Sequence, residues 1–484
     1  MREFWSGFFG SLTGVAAGIV ILGAAGAFLA AVTATALVRD AQNPILAAQP
    51  DASVWIEVDL RAVLVDDARE LNAQPISTPQ ASAFDVTRAL YRAADDPRVA
   101  GAMILTGGGS IAPGHAEEIA AVSRRLASTG RSVFGYVEAD GRDALYAYLA
   151  GAGAGEVWAA PLAAFSALPD GGGGTGLSAS DSAIIEAASR LRAMGPEQMR
   201  AALSDGPISA SEALEAGLID RIGSEVELRA RLAQGSRDLV VGVDDYLAAP
   251  SRGGGAASLA LIEVNGFIQS GAHSGQGRVG AARAVEAITA AARSDSVRAI
   301  IVRISANGGA AAASDQIASA IMAAQRRGKP VIALVGSAAM GWAYHAIAPA
   351  DRIITPGAAQ LGQLGQARSR LPRALSAAAA ETAPAPSGSL DSMRYAWLVE
   401  GVADARGLPL GAVETLARGQ GWSGAQAVRL GLADQVGDLS DAVAAARERA
   451  GMAPDEPAVL GRYPPPPTRL QAISARLVPA PASR

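Results

Sequence analysis

The feature that most constrains this chain lies in its second half, where Val297 to Tyr344 reads as strand, glycine turn, helix and strand. An apolar run (Ala299 to Ile304) leads into Asn307-Gly308-Gly309, a helical pattern covers Ser314 to Arg327, and a second apolar run covers Val331 to Val335. Continuous β-branched runs suit a parallel sheet covered on both faces, whereas alternating runs would leave one face wet. The turn from Gly328 to Pro330 is where the helix stops. The unit is α/β.

The pattern occurs twice. A shift of 198 positions lays Val99 on Val297, Ile104 on Val302, Ile119 on Ile317, Gly130 on Gly328, Val133 on Val331 and Tyr146 on Tyr344. A shift of 214 lays Ser209 to Asp220 on Ser423 to Asp434. Two offsets imply that the second half holds an extra segment of about sixteen residues, so these are two related domains and not short solenoid units.

Composition narrows the function classes. Half of the 484 residues are hydrophobic and 18% are charged, enough to bury large cores. A net charge of −5 without a basic stripe excludes nucleic acid as the expected partner. The absence of cysteine removes thiolate chemistry and Cys-ligated zinc, and His115, His273 and His345 have no metal spacing. No metal or cofactor is expected.

The spacing of signals gives the organisation. Phe8 to Val38 is apolar or small and uncharged, long enough to span a bilayer with its roughly twenty residues and longer than a cleaved leader's core. We expect a single transmembrane anchor over 1–40, a linker from Ala41 to Pro50, a first domain over 51–248, a glycine-rich linker over 249–257, a second domain over 258–450 and a proline-rich tail over 451–484 that includes Pro464 to Pro467. In the first domain Val54 to Val65 reads as a strand, Val86 to Ala94 as a helix capped by Asp85, and Gly101 to Gly109, Glu117 to Leu126 and Val133 to Val137 as strand, helix and strand. Val157 to Ala159 is a strand, Gly171 to Gly174 a loop, and Ile184 to Met194 and Ser209 to Ala216 are helices, the last capped by Gly217. The second domain opens with a strand at Leu259, carries an Ala/Pro-rich insert over Ser376 to Ser389, and continues as a helix from Leu390 to Ala405.

Taken in order, the anchor, the two strand-glycine-helix-strand units, the Leu259 to Ile268 strand, the turn Gly328-Lys329-Pro330-Val331, Pro349 to Ile353, Gly421 to Ala427 and Gly431 to Asp434 resemble the long, two-copy form of the signal peptide peptidase A family. The similarity covers the anchor and most of both halves. It implies two tandem crotonase/ClpP-like ββα domains with parallel sheets, behind one N-terminal transmembrane helix. It also implies a ring-forming serine endopeptidase at a bacterial-type inner membrane, single-pass, with soluble domains on the periplasmic or outer side, acting on signal peptides or unfolded polypeptide segments.

The chemistry departs from that pattern. Members of the family carry the nucleophilic serine in Gly-x-Ala-Ala-Ser-Gly-Gly-Tyr; here the segment is Gly336-Ser337-Ala338-Ala339-Met340-Gly341-Trp342-Ala343-Tyr344. Alignment on Gly336 puts Met340 at the serine position, and alignment on Tyr344 puts Gly341 there. Neither can attack a carbonyl. The family's general base is a lysine of the first half, acting as a neutral amine. This chain has one lysine, Lys329, in the second half, and arginine stays protonated at any working pH.

What the resemblance leaves is a binding frame. Gly308 and Gly309 stand where the family's Pro-Gly-Gly turn lends a backbone N–H to the oxyanion hole, with Asn307 in place of the proline. Trp342 and Tyr344 could line a peptide groove or pack in the core. Ser337 is the weak alternative nucleophile. His345 could serve as a base but reads more readily as a helix histidine facing the core; His115, near the first-half glycine turn, could serve likewise or be a solvated helix-start residue; and no carboxylate is identifiable as a histidine partner. The expected protein has lost the dyad and keeps peptide binding or assembly, as a homo-oligomer or in a mixed ring with an active paralogue. The competing readings are an endopeptidase with a non-standard nucleophile and an acyl-thioester enzyme of the crotonase type.

Overall fold

In the computed structural model the described residues are 52–61, 82–107, 111–138, 141–165, 179–204, 207–233, 238–249, 258–274, 277–365, 389–453, 456 and 458–463. The anchor, the linker before Pro50, the glycine run at 171–174, residues 250–257, the insert at 376–388 and the proline run at 464–467 lie outside them. Among the described residues no helix is long and apolar enough to cross a membrane. Residues Ser53–Leu247 and Ser251–Arg484 form one unit, built around two sheets.

The first sheet has six parallel strands. In chain order they are β1 (Val54–Asp59), β2 (Val99–Gly107), β3 (Ser132–Glu138), β4 (Glu156–Ala159), β5 (Arg221–Ile222) and β6 (Leu239–Gly242), arranged spatially as β5-β4-β3-β2-β1-β6. The helices α1 (Ala83–Ala93), α2 (Pro113–Ser128) and α3 (Gly141–Gly151) pack together, with α2 and α3 against β2 and β3. The other face carries Trp55, Met103, Leu105, Phe134, Tyr136 and Trp158, covered by Leu228 of α5 (Glu225–Ala233); α4 (Ala179–Arg192) packs against α2 and α3.

The second sheet has eight strands. Its spine is β12 (Gly421–Ser423), β11 (Gln360–Gly362), β9 (Val331–Met340), β8 (Ala299–Ala306), β7 (Leu259–Asn265) and β14 (Leu460–Arg462), with β10 (Arg352–Thr355) beside β9 and β13 (Gln435–Val436) beside β10. All pairs are parallel except β11 with β12. One face buries Ile262, Val264, Ile300, Val302, Ile304, Ala333 and Val335 against α6 (Ala281–Arg293), α7 (Ala311–Arg326) and α8 (Trp342–Ile347). The other face receives α10 (Leu439–Arg449) and, from the first half of the chain, α2. Helix α9 (Ser389–Arg406) packs beside α8.

Several boundaries differ from the sequence reading, each for a local reason. The first strand stops at Asp59, not Val65, because Asp59 accepts from the backbone and guanidinium of Arg61 and turns the chain there. Helix α1 begins at Ala83 with Ser82 as its cap, its hydroxyl accepting from the Asp85 N–H, so Asp85 is inside the first turn. The strand read as ending at Val335 runs on to Met340 through a bulge, where β8 advances two residues from Ile304 to Ala306 while β9 advances four from Val335 to Ala339. Part of the tail joins the sheet as β14, ending at Arg462 before the prolines begin.

The repeat is visible as matched bonds. Ser209 with Glu212 and Ser423 with Gln426 form two capping boxes 214 residues apart. Arg192 holds Asp220, whose carboxylate accepts from Val157 N; Arg406 holds Asp434, which accepts from Ile353 N. Tyr148 donates to Leu218 O and Tyr344 to Leu432 O. The last pair corrects the register, since the partner of Tyr344 is Tyr148 and not Tyr146.

Candidate active site

The site is built where β9 gives way to α8. Met340 is the last strand residue and Gly341 makes the turn, at φ 56° and ψ −122°. This is the left-handed region that an L side chain enters only at a cost. The Gly341 N–H donates to Gly362 O at 2.6 Å, and its carbonyl accepts from the N–H groups of Tyr344 and His345. A Cβ at 341 would meet only Gln363 O, at 3.7 Å, so the position has room for a side chain. The bulge in β9 absorbs the one residue that separates the two alignments. Of Met340 and Gly341, the strand-to-helix turn falls on Gly341.

Gly336, on the bulge, is held by space. A Cβ there would lie 2.3 Å from Ser305 Oγ and 2.8 Å from Arg303 Nη2. Ser337 follows it, half-buried, with its N–H donating to Ser305 Oγ at 3.1 Å. It stands four strand residues before Gly341, about 13 Å away at the usual rise. Lys329 lies beyond the other end of β9, whose ten residues span roughly 30 Å at the usual rise. Its Nζ donates to Ser294 O (3.1 Å) and Val297 O (2.5 Å), closing the entry to β8.

The turn Asn307-Gly308-Gly309 is pinned to the short strand Phe267–Gln269: Ile268 N–H donates to Gly308 O and Ala310 N–H to Ile268 O. Neither bond uses the Gly309 N–H. Gly308 takes φ 143°. The residues just after this turn, Ala311 and Ala312, and the residue just after Gly341, Trp342, line the same open pocket of about 320 Å³, completed by Asp315 of α7 and by Met393, Arg394 and Trp397 of α9.

The two groove candidates part company. Trp342 is half-exposed and lines the pocket. Tyr344 does not: it is fully buried, with its hydroxyl donating to Leu432 O at 2.7 Å, and burial pushes its pKa up. It is a core residue.

His345 does have a carboxylate partner, contrary to the sequence reading. Its Nε2 lies 3.4 Å from Asp315 Oδ1, thirty residues away in sequence, and its ring meets Trp342 edge-on at 5.2 Å. Its Nδ1 is buried without a hydrogen-bond partner, on the side where Gly401 of α9 comes closest. Burial lowers the His345 pKa, with Asp315 opposing. No His345 atom lies within 4 Å of a Cβ built at 341.

His115 is not solvated either. With Glu118 and Arg303 it forms a buried cluster between α2 and β8: Arg303 donates to both Glu118 carboxylate oxygens (3.1 and 2.5 Å), and its Nη2 lies 3.3 Å from His115 Nδ1. The Arg303 guanidinium stacks over Phe84 of α1 at 5.3 Å. Glu117 accepts from Ala358 N–H (2.7 Å) and from Arg190 (3.1 Å). A charge within an apolar strand requires a buried counter-charge. Arg303 in the run from Ala299 to Ile304 was the signal that could have found Glu118.

The parallel α/β frame thus holds a glycine turn, a strand-to-helix turn and the pocket beside them. Comparison with known proteins supports a protease-like protein: the profile of peptidase family S49 matches residues 376–453. Protease 4 of Salmonella typhi is 28% identical over 321 residues, covering 57% of this chain and 52% of that protein. The chain thus spans about half the length of that relative. A solved structure, that of a mutant of the 1510-N membrane-bound stomatin-specific protease, aligns over 98% of its own length and 43% of this chain at 14% identity with a TM-score of 0.32, a likeness from which no fold assignment follows. These likenesses support the resemblance to the signal peptide peptidase A type of peptidase that was read from the sequence.

Proposed function

We propose that this chain is a catalytically silent member of its family that binds unstructured polypeptide at the pocket beside Gly341. The reading rests above all on Gly341: a residue without a side chain occupies the strand-to-helix turn, the place the family gives its nucleophile. Two further observations support it. Ser337 is displaced up the strand, and the only lysine is bonded to two carbonyls at its far end. A nucleophile and a neutral base within hydrogen-bond reach are what the reaction requires.

The finer picture goes with it. The chain comprises two tandem crotonase/ClpP-type domains, tethered by the segment 1–40 to a bacterial-type inner membrane with the domains on the outer side, and assembles with itself or with an active paralogue in a ring. Its partners are signal peptides or unfolded polypeptide segments. The test is fluorescence anisotropy of a labelled unstructured peptide with the full chain in detergent, followed by the peptide's mass. Saturable binding of a peptide that stays intact is the expected result. Cleaved peptide contradicts silence, and no binding contradicts the receptor role.

A further inference from the structure

The pocket is apolar with one carboxylate in its wall. Trp342, Met393 and Trp397 are its large apolar lining residues, and the last two are 61% and 59% exposed although α9 already buries Leu398, Val399 and Val402. They are surplus to the core. Asp315, whose side chain is 43% exposed, has the His345 ring as its partner. A ring that burial keeps neutral does not balance the negative charge of Asp315. Arg394 adds a positive charge to the α9 wall of the same pocket.

Three kinds of side chain could enter. A wholly apolar one would strip water from Asp315 and offer it no partner, and an acidic one would meet like charge. A side chain with an apolar stem and a cationic tip suits both parts of the wall. Its methylenes lie against indole and thioether, its cation is attracted to indole faces, and its charge reaches the carboxylate.

We propose that this pocket is a subsite for a lysine or arginine side chain of an extended polypeptide, with Asp315 meeting the cation and Trp342, Met393 and Trp397 holding the stem. This rests on the peptide-binding reading above and adds to it a preference that the fold alone does not carry. Asp315 is the specificity-determining residue, positioned by His345.

The experiment uses the full chain and ten-residue Gly/Ser peptides bearing Lys, norleucine or Glu at one central position, read by anisotropy and by tryptophan fluorescence. The Lys peptide is expected to bind at least about tenfold more tightly than the norleucine peptide, a difference of about 1.4 kcal/mol, and the margin should narrow with added salt. Asp315→Asn should erase that margin by weakening the Lys peptide. Trp397→Ala should weaken both peptides. Equal binding of Lys and norleucine peptides, or a Lys preference that survives in Asp315→Asn, overturns the subsite and leaves peptide binding standing. If no peptide of any composition binds, both readings fall.

Discussion

Glu118 of α2, in the first half of the chain, holds Arg303 of β8, in the second half, by two hydrogen bonds of 3.1 and 2.5 Å, and neither side chain has exposed surface. Burial alone would raise the Glu118 pKa, but the Arg303 charge, with hydrogen bonds from His115 and Arg303, outweighs it and holds the carboxyl below its ordinary value. The two halves are joined through an ion pair that cannot be separated without leaving a charge in the core.

Removing one partner should therefore cost far more than removing both. Glu118→Ala is expected to lower the unfolding free energy by about 3–5 kcal/mol, whereas the double replacement Glu118→Leu with Arg303→Leu should recover most of that loss. Leucine already stands at the corresponding place of the first sheet, Leu105. Urea unfolding of the two variants checks this; equal losses in single and double variants would contradict it.

Gly336 and Gly341 should respond differently to the same methyl group. Gly336→Ala places a Cβ against Ser305 Oγ and Arg303 Nη2 and is expected to cost about 1–3 kcal/mol by overpacking. Gly341→Ala meets only Gln363 O at 3.7 Å, so its cost is the backbone term at positive φ, of order 1–3 kcal/mol. Gly341→Ser should fold as Gly341→Ala does and remain without hydrolytic activity, since Gln363 O is the one group beyond its chain neighbours within 4 Å of a Cβ at 341. Thermal unfolding and a peptide-cleavage assay measure the two halves of this expectation.

Much of the fold was legible because strands buried on both faces must be continuous apolar runs, and Ala299 to Ile304 and Val331 to Val335 are such runs. The extension of β9 to Met340 was not, because a bulge through Gly336, Ser337 and Ala338 looks like a turn in a chain of small residues. The 198-residue shift pairs Tyr146 with Tyr344 for a related reason: insertions move the register by two, and only the hydroxyl contacts single out Tyr148. Of the residues that line the pocket, Trp342 stands in a local motif of the sequence. Asp315, Met393 and Trp397 come to the pocket from α7 and α9, and no short-range pattern announces a contact made across thirty to eighty residues.

Acidification should destabilise the protein through His345. Its folded pKa lies below the ordinary 6.5 because burial disfavours the imidazolium, so the folded state prefers the neutral ring. That contribution is fully present above pH 6.5 and is lost as pH falls through the lowered value. Urea midpoints between pH 7.5 and 4.5 should fall for the native chain and fall less for His345→Gln. Parallel curves would show that His345 does not titrate in this window.

Lys329 should behave as a structural residue. Lys329→Met removes the bonds to Ser294 O and Val297 O and is expected to lower stability by about 1–3 kcal/mol, with peptide affinity unchanged. A variant of native stability, or one that loses peptide binding while folded, would contradict this.

The central claim is the absence of a working nucleophile, and the most direct measurement is hydrolysis of an unstructured polypeptide and a synthetic signal peptide by the purified full chain, alongside labelling with a serine-directed phosphonate. The expected result is no turnover and no adduct from a folded protein that still binds peptide. Turnover with an adduct, both lost in Ser337→Ala, would contradict the account and place the active site on β9 instead of at Gly341.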